Sequence, residues 1–252
     1  MSGSAPLVGL LAGHSFLHRH WLYPALPGAG DVIRTSLDDL AASVTVRHCL
    51  ASVGCMTDSN RAEDIARSLL EEPLPRRWSH VQGVARTART LAPVLADNTD
   101  LLTAAAVLHD IGYAPSLHDS GFHPLDGARY LRDIEHADPM LCRLVAHHSC
   151  AIIEAEEYGL ATQLAAEFKP ASRTLADALI YCDLTTGPDG RHMTIEQRLT
   201  DIRERYGPSH PVTRALARSE PHLKAAVDRI SRKLAASTRP ARPIRLVPAV
   251  TF

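Results

Sequence analysis

Residues 101–113, LLTAAAVLHDIGY, set a histidine and an aspartate side by side at the end of an apolar run. A helix carrying Leu101, Leu102, Ala105 and Leu108 on its inner face buries the end where His109 and Asp110 sit. A buried charge is costly unless it is paired or bound to a metal. Whatever packs over that helix end must therefore supply partners for both side chains, and the fold must converge other elements on Asp110.

The rest of the pattern is helical. Apolar spacing predicts helices over about 58–71, 78–95, 99–111, 124–134, 138–149, 172–185, 194–206 and 211–234, and strand-like alternation is scarce. Asp97, Asn98 and Thr99 offer N-caps to the 99–111 segment, and Pro124 sits where a first-turn proline is tolerated. Gly112 provides a helix stop just after the His-Asp pair. The expected class is all-α.

Composition narrows what such a bundle can do. The 252 residues are 45% apolar with a net charge of -1, enough for one sizeable core, and the basic residues are scattered. Nucleic acid is not an expected partner. No run reaches the roughly 18 apolar residues of a membrane span, and the opening MSGSAPLVGLLAGHSF lacks a basic leader region. The expectation is a cytoplasmic protein with no membrane partner. Five cysteines, Cys49, Cys55, Cys142, Cys150 and Cys182, are an odd number without CxxC spacing, which argues against a disulfide framework or a zinc ribbon.

The chain changes character near residue 56. Residues 1–55 mix Gly, Pro and short apolar runs, and read as an irregular N-terminal extension. It is either a stretch that is not native, with Met56 as the natural start, or a loosely ordered attachment. Its His14, His18 and His20 have no acidic companion and read as surface residues. Residues 56–234 read as the helical bundle, and 235–252 as a Pro-rich irregular tail.

Within the bundle, the other candidate ligands also fall near predicted helix ends: His80, His123, His147, His148 and Asp183. Inward-facing side chains from several helices can meet in one metal-filled cavity. Imidazole and carboxylate without thiolate suit Fe, Mn, Co, Ni or Zn in a chemical role better than a structural zinc.

The order His80, His109-Asp110, His123, His147-His148, Asp183 resembles the HD-domain superfamily of metal-dependent phosphohydrolases, over roughly residues 60–232. RRWSHVQGVA upstream and ALIYCD downstream carry the likeness, while FHPLDGARYL and VAHHS are similar to members that bind two metals. The resemblance implies that His80, His109, Asp110 and Asp183 hold one ion. Asp110 then bridges to a second ion held by His123 and either His147 or His148. On a single-ion site, His123, His147 and His148 become acid or base candidates instead. Two divalent ions about 3.5 to 4 Å apart can generate a bridging hydroxide and clamp the oxygens of a phosphoester. Arg76, Arg77 and Arg191 lie close in sequence to the ligands, and a guanidinium fork suits phosphate oxygens.

The implied activity is hydrolysis of a phosphoester or phosphoanhydride of a nucleotide or small phosphometabolite. LPRRWSHVQGVARTA and FHPLDGARYL are similar to bacterial symmetrical dinucleoside-tetraphosphate hydrolases of the superfamily. The DGxGYP run of the cyclic-di-GMP phosphodiesterase branch is absent, since SCAIIEAEEYG follows His148. Two alternatives stand beside hydrolysis. A diiron oxygenase uses the same ligand set, and a noncatalytic nucleotide-sensing module keeps the bundle but has no need of several buried imidazoles and carboxylates.

Overall fold

The computed structural model describes residues 58–238. The expected extension at 1–55, with His14, His18 and His20, lies outside the described residues, as does the tail from 239 onward. Among the described residues the chain is all-α, with an isolated antiparallel bridge between Thr186 and His192. No single described helix is long and apolar enough to cross a membrane.

The helices are α1 (Ser59–Leu70), α2 (Pro75–Arg89), α3 (Ala92–Leu95), α4 (Thr99–Leu108), α5 (His123–Asp133), α6 (Pro139–Ala146), α7 (Ala151–Glu157), α8 (Ala161–Glu167), α9 (Arg173–Leu184), α10 (Ile195–Tyr206) and α11 (Pro211–Ser237). At the centre is α4, buried at every position from Leu102 to Leu108. A helix that is apolar on all sides belongs inside a bundle. Its Ala104, Ala105 and Ala106 let neighbours close in, and α1, α2, α6 and α9 surround it. A second cluster joins Ile180 and Leu184 of α9 to Ile195 and Leu199 of α10 and to Leu216, Leu223, Ala226 and Val227 of α11. Arg229 of α11 also grips Asp177 of α9 through two hydrogen bonds of 2.7 Å.

Local chemistry sets the helix starts. Asp58 accepts the Asn60 amide to cap α1, and Asp138 accepts the Met140 and Leu141 amides to cap α6. Thr194 and Gln197 form a reciprocal capping box on α10. Pro124 stands in the first turn of α5, as its position in the sequence predicts. The expected cap on α4 is not made: Asn98 gives no side-chain cap, and the Thr99 hydroxyl donates back to the Ala96 carbonyl.

Several boundaries differ from the sequence expectation. The 78–95 segment breaks into α2 and α3, and the 138–149 segment stops at Ala146. Helices α7 and α8 are additional, and α11 runs on to Ser237, into the expected tail. The 99–111 segment ends at Leu108, three residues early. There the His109 ring takes the capping role, its Nδ1–H donating to the Ala106 carbonyl at 2.8 Å, one of the acceptors a helix end leaves open.

Gly112 is therefore not a helix stop but a contact point. A Cβ built on it would fall 1.9 Å from the His123 carbonyl oxygen and 2.7 Å from the Gly127 amide. This close approach lets the first turn of α5 lie against the turn that follows Asp110. Gly112→Ala is expected to lower the unfolding free energy by about 2 kcal/mol or more, since backbone must move to admit the methyl. Urea denaturation checks it, and a change within about 0.5 kcal/mol, as at an ordinary surface site, would show that α5 is not seated there.

Candidate metal centre

The centre is assembled from side chains at helix ends and one helix interior. His80 projects from α2, His109 and Asp110 follow α4, His123 opens α5, His148 follows α6, and Asp183 lies in the last turn of α9. Asp126, in the first turn of α5, accepts hydrogen bonds from the Ser120 amide and hydroxyl and the Asp119 amide. That fixes the loop delivering His123. Between α6 and α7 the chain turns through two consecutive left-handed residues, Ser149 (φ 47°) and Cys150 (φ 63°). Non-glycine residues adopt that region at a cost of roughly 1–2 kcal/mol each. The turn leaves His148 facing Asp110 while the Ser149 hydroxyl donates to Asp183 Oδ2 at 2.5 Å.

Two groups of side chains here can each hold a metal ion. One is His80, His109 and Asp110, and the other is Asp110, His123 and His148, with the donor atoms of each group within 4.8 Å of one another. Asp110 belongs to both, through different oxygens. Its Oδ2 lies 3.4 Å from His109 Nε2 and 4.0 Å from His80 Nε2, and its Oδ1 lies 3.4 Å from His123 Nε2 and 3.7 Å from His148 Nε2. Asp183 Oδ1 adds to the first group, 3.1 Å from His80 Nε2 and 3.9 Å from His109 Nε2.

The histidines are set for ligation by what lies behind them. His80, His109 and His148 each place Nδ1 against a backbone carbonyl, of Gly187 at 3.0 Å, Ala106 at 2.8 Å and Val145 at 2.7 Å. A carbonyl can only accept, so a proton sits on Nδ1 and Nε2 is the ring atom turned toward the centre. His109 Nε2 is buried with no hydrogen-bond partner, and His80 Nε2 lies against an Asp183 carboxylate oxygen at 3.1 Å. A metal ion between these nitrogens and the carboxylate oxygens would give His109 Nε2 the partner it lacks. The donors fit a divalent ion of N and O preference.

Charge follows the same logic. Burial alone would raise the Asp110 carboxyl, yet the Arg77 guanidinium, at 2.5 Å, and the imidazoles hold it well below the ordinary carboxylate range. Burial acts likewise on Asp183, and His80, His109 and Arg198 overcome it. Burial lowers His123 and His148 and raises the Glu154 carboxyl beside them. Arg77 is itself held against the Tyr113 ring, 3.9 Å from its centroid, and Tyr113 stacks on His123.

Not every predicted residue is brought here. His147 Nε2 lies 2.8 Å from the Phe168 carbonyl at the end of α8, away from the cluster, so of the adjacent pair His148 faces the centre. The Arg191 side chain is 87% exposed and pairs with Asp189, which removes it from the site. Arg76 is exposed and reaches only a neighbouring cavity. The sequence reading omitted Tyr113, Ser149, Glu154, Arg198, Arg205 and Tyr206, which line the cleft. Tyr113 and Ser149 each follow a ligand motif closely, a usable signal. Arg198 and Arg205 come from the next helix, and nothing local marks them.

Two outcomes follow from this geometry. His148→Ala is expected to lower the metal bound per chain, whereas His147→Ala leaves it unchanged; elemental analysis showing the reverse would exchange their roles. Removing metal with a chelator should leave a protein whose stability falls as pH drops below the ordinary imidazole value of 6.5, because the unfolded chain then takes up protons that buried His123 and His148 refuse. Urea midpoints above and below that pH measure it. A His123→Asn, His148→Asn double variant should flatten the slope, and an unchanged slope would place its origin elsewhere.

A family model described as HD domain matches residues 77–206, just over half of the chain. No curated protein and no solved structure matches it. The matched span contains His80, His109, Asp110, His123, His148 and Asp183, the same side chains that meet around Asp110. An all-α bundle, a cluster of imidazole and carboxylate donors that can bind metal, and this match agree: the chain belongs to the HD-domain family.

Proposed function

We propose that the protein is a metal-dependent phosphohydrolase that cleaves a phosphoester or phosphoanhydride of a nucleotide or small phosphometabolite, using two divalent transition-metal ions. The observation that carries this reading is the division of labour within Asp110, whose two oxygens face two separate groups of imidazoles. A carboxylate so placed suits a bridging role. On this reading His80, His109 and Asp183 complete one site, and His123 and His148 the other.

Ions held there would supply Lewis-acid polarisation of phosphoryl oxygens and acidify water at neutral pH. The chain's own residues do the rest. Nδ1 contacts to backbone carbonyls keep three imidazoles from rotating. Ser149 orients Asp183 from behind, leaving Oδ1 toward the histidines. Arg77, fixed by Asp110 and Tyr113, presents a permanent positive charge to an anionic substrate. Leu184, Ile202, Val212 and Leu216 wall the cleft, thinning the water there and strengthening each electrostatic contact. A purely sensory role would leave such a set of buried ligands without use.

The chief rival is a diiron oxygenase on the same ligands, and oxygen dependence separates the two. Attack on phosphorus changes no oxidation state, so phosphate release should persist under strict anaerobiosis and be supported by Mn or Co as well as Fe. Purified protein reconstituted with each metal is screened against nucleotides, dinucleoside polyphosphates and sugar phosphates, reading phosphate release and oxygen uptake together. Substrate-dependent oxygen uptake with iron alone, and no phosphate release, would replace the hydrolase with the oxygenase.

A further inference from the structure

Beside the metal centre lies a second cavity of about 340 Å³, at the small end of the range for ligand pockets, roughly 300–1,000 Å³. It is large enough for part of a small molecule. Four arginines line it, Arg76, Arg77, Arg198 and Arg205, together with His80, and among the described residues no carboxylate does. Arg77, Arg198 and Arg205 also line the cleft over Asp110 and Asp183, so the two spaces meet across shared guanidinium walls.

The charge in this cavity is incompletely balanced. Asp201 serves two guanidiniums at once, accepting from Arg198 Nη1 at 3.0 Å and pairing also with Arg205. Arg76 makes no ion pair among the described residues. Arg198 is only 5% exposed, its Nη2 is 3.6 Å from Asp183 Oδ1, and its Nε has no partner. A buried cation with an unfilled donor, at the junction of two cavities, is a waiting anion contact. Guanidinium forks match the paired oxygens of a phosphoryl group, and several on one wall repel cationic groups.

We infer that this cavity is an anion subsite that seats a second phosphoryl group of the substrate, away from the phosphorus attacked at the metal centre. The preferred substrates are then small molecules bearing at least two phosphoryl groups. As a substrate subsite this rests on the hydrolase reading; as an anion site it is measurable without turnover.

Titration calorimetry of the full-length, metal-loaded protein with orthophosphate, pyrophosphate and tripolyphosphate at matched ionic strength tests it. Affinity is expected to rise about tenfold or more from orthophosphate to the better of the longer anions, equivalent to about 1.4 kcal/mol. Arg76→Gln and Arg205→Gln should each cut that gain to about threefold or less. Arg191→Gln, on the surface outside the cavity, should keep it. Because Arg76 is exposed, its variant keeps the fold and reads the subsite even where Arg205→Gln, which strips a partner from Asp201, fails to fold. Equal affinity for all three anions, a gain that survives Arg76→Gln, or a gain that falls equally in Arg191→Gln would overturn the subsite. Turnover of p-nitrophenyl phosphate and of the nucleotide, dinucleoside polyphosphate and sugar phosphate panel, measured in parallel, separates the failures. Turnover without an affinity gain removes the subsite alone, and a gain without turnover on any of these phosphoesters supports the anion site and removes the hydrolase reading.

Discussion

A carboxylate buried at the end of the central helix governs much of this molecule. Asp110 is almost wholly withdrawn from water, and it stays ionised because Arg77, His109 and His123 surround it. An isolated anion at that depth would be far too costly to keep. The bundle must therefore bring α2, α5 and α6 to the same point, and each arrives with a nitrogen aimed at one of the two oxygens. The packing of α4 serves this too, since its three successive alanines admit α2 and α6, while α5 seats on the turn after Asp110.

The same economy appears where helices end. His109 and His148 each follow a terminus, and each donates Nδ1–H to the carbonyl three residues back. One imidazole thereby satisfies a helix end, fixes its own tautomer and presents Nε2 inward. Stability and ligand geometry are thus properties of one hydrogen bond, and a substitution that damages either damages both.

The long helices were legible because their apolar periodicity is sustained: α1, α5, α9, α10 and α11 begin or end within a few residues of the predicted limits. Helices α7 and α8, at seven residues each, offer too few turns for a period to show. The early ends of α4 and α6 were hidden for another reason: an imidazole, not a glycine, terminates them. At the centre, the order of ligands was readable as a resemblance, but the choice between His147 and His148 was not. Adjacent helical residues point about a hundred degrees apart, and the left-handed turn at Ser149 and the Phe168 carbonyl decide which one faces inward. Arg191 illustrates the opposite error. Nearness to Asp183 in sequence put it in the site, yet the short turn closed by Thr186 and His192 carries it outward. Arg198, farther along the chain, is folded back against Asp183 by α10.

The pair of left-handed residues after His148 has a consequence for timing. Glycine would occupy those angles without strain, but it would also leave the unfolded and partly folded chain more freedom at the junction of α6 and α7. Side chains at both positions narrow the local conformers available once the bundle has closed, so the entropy of ordering this corner is spent during folding and not when a ligand arrives. A site ordered in advance gives up less freedom on binding and would hold a ligand more tightly for the same contacts.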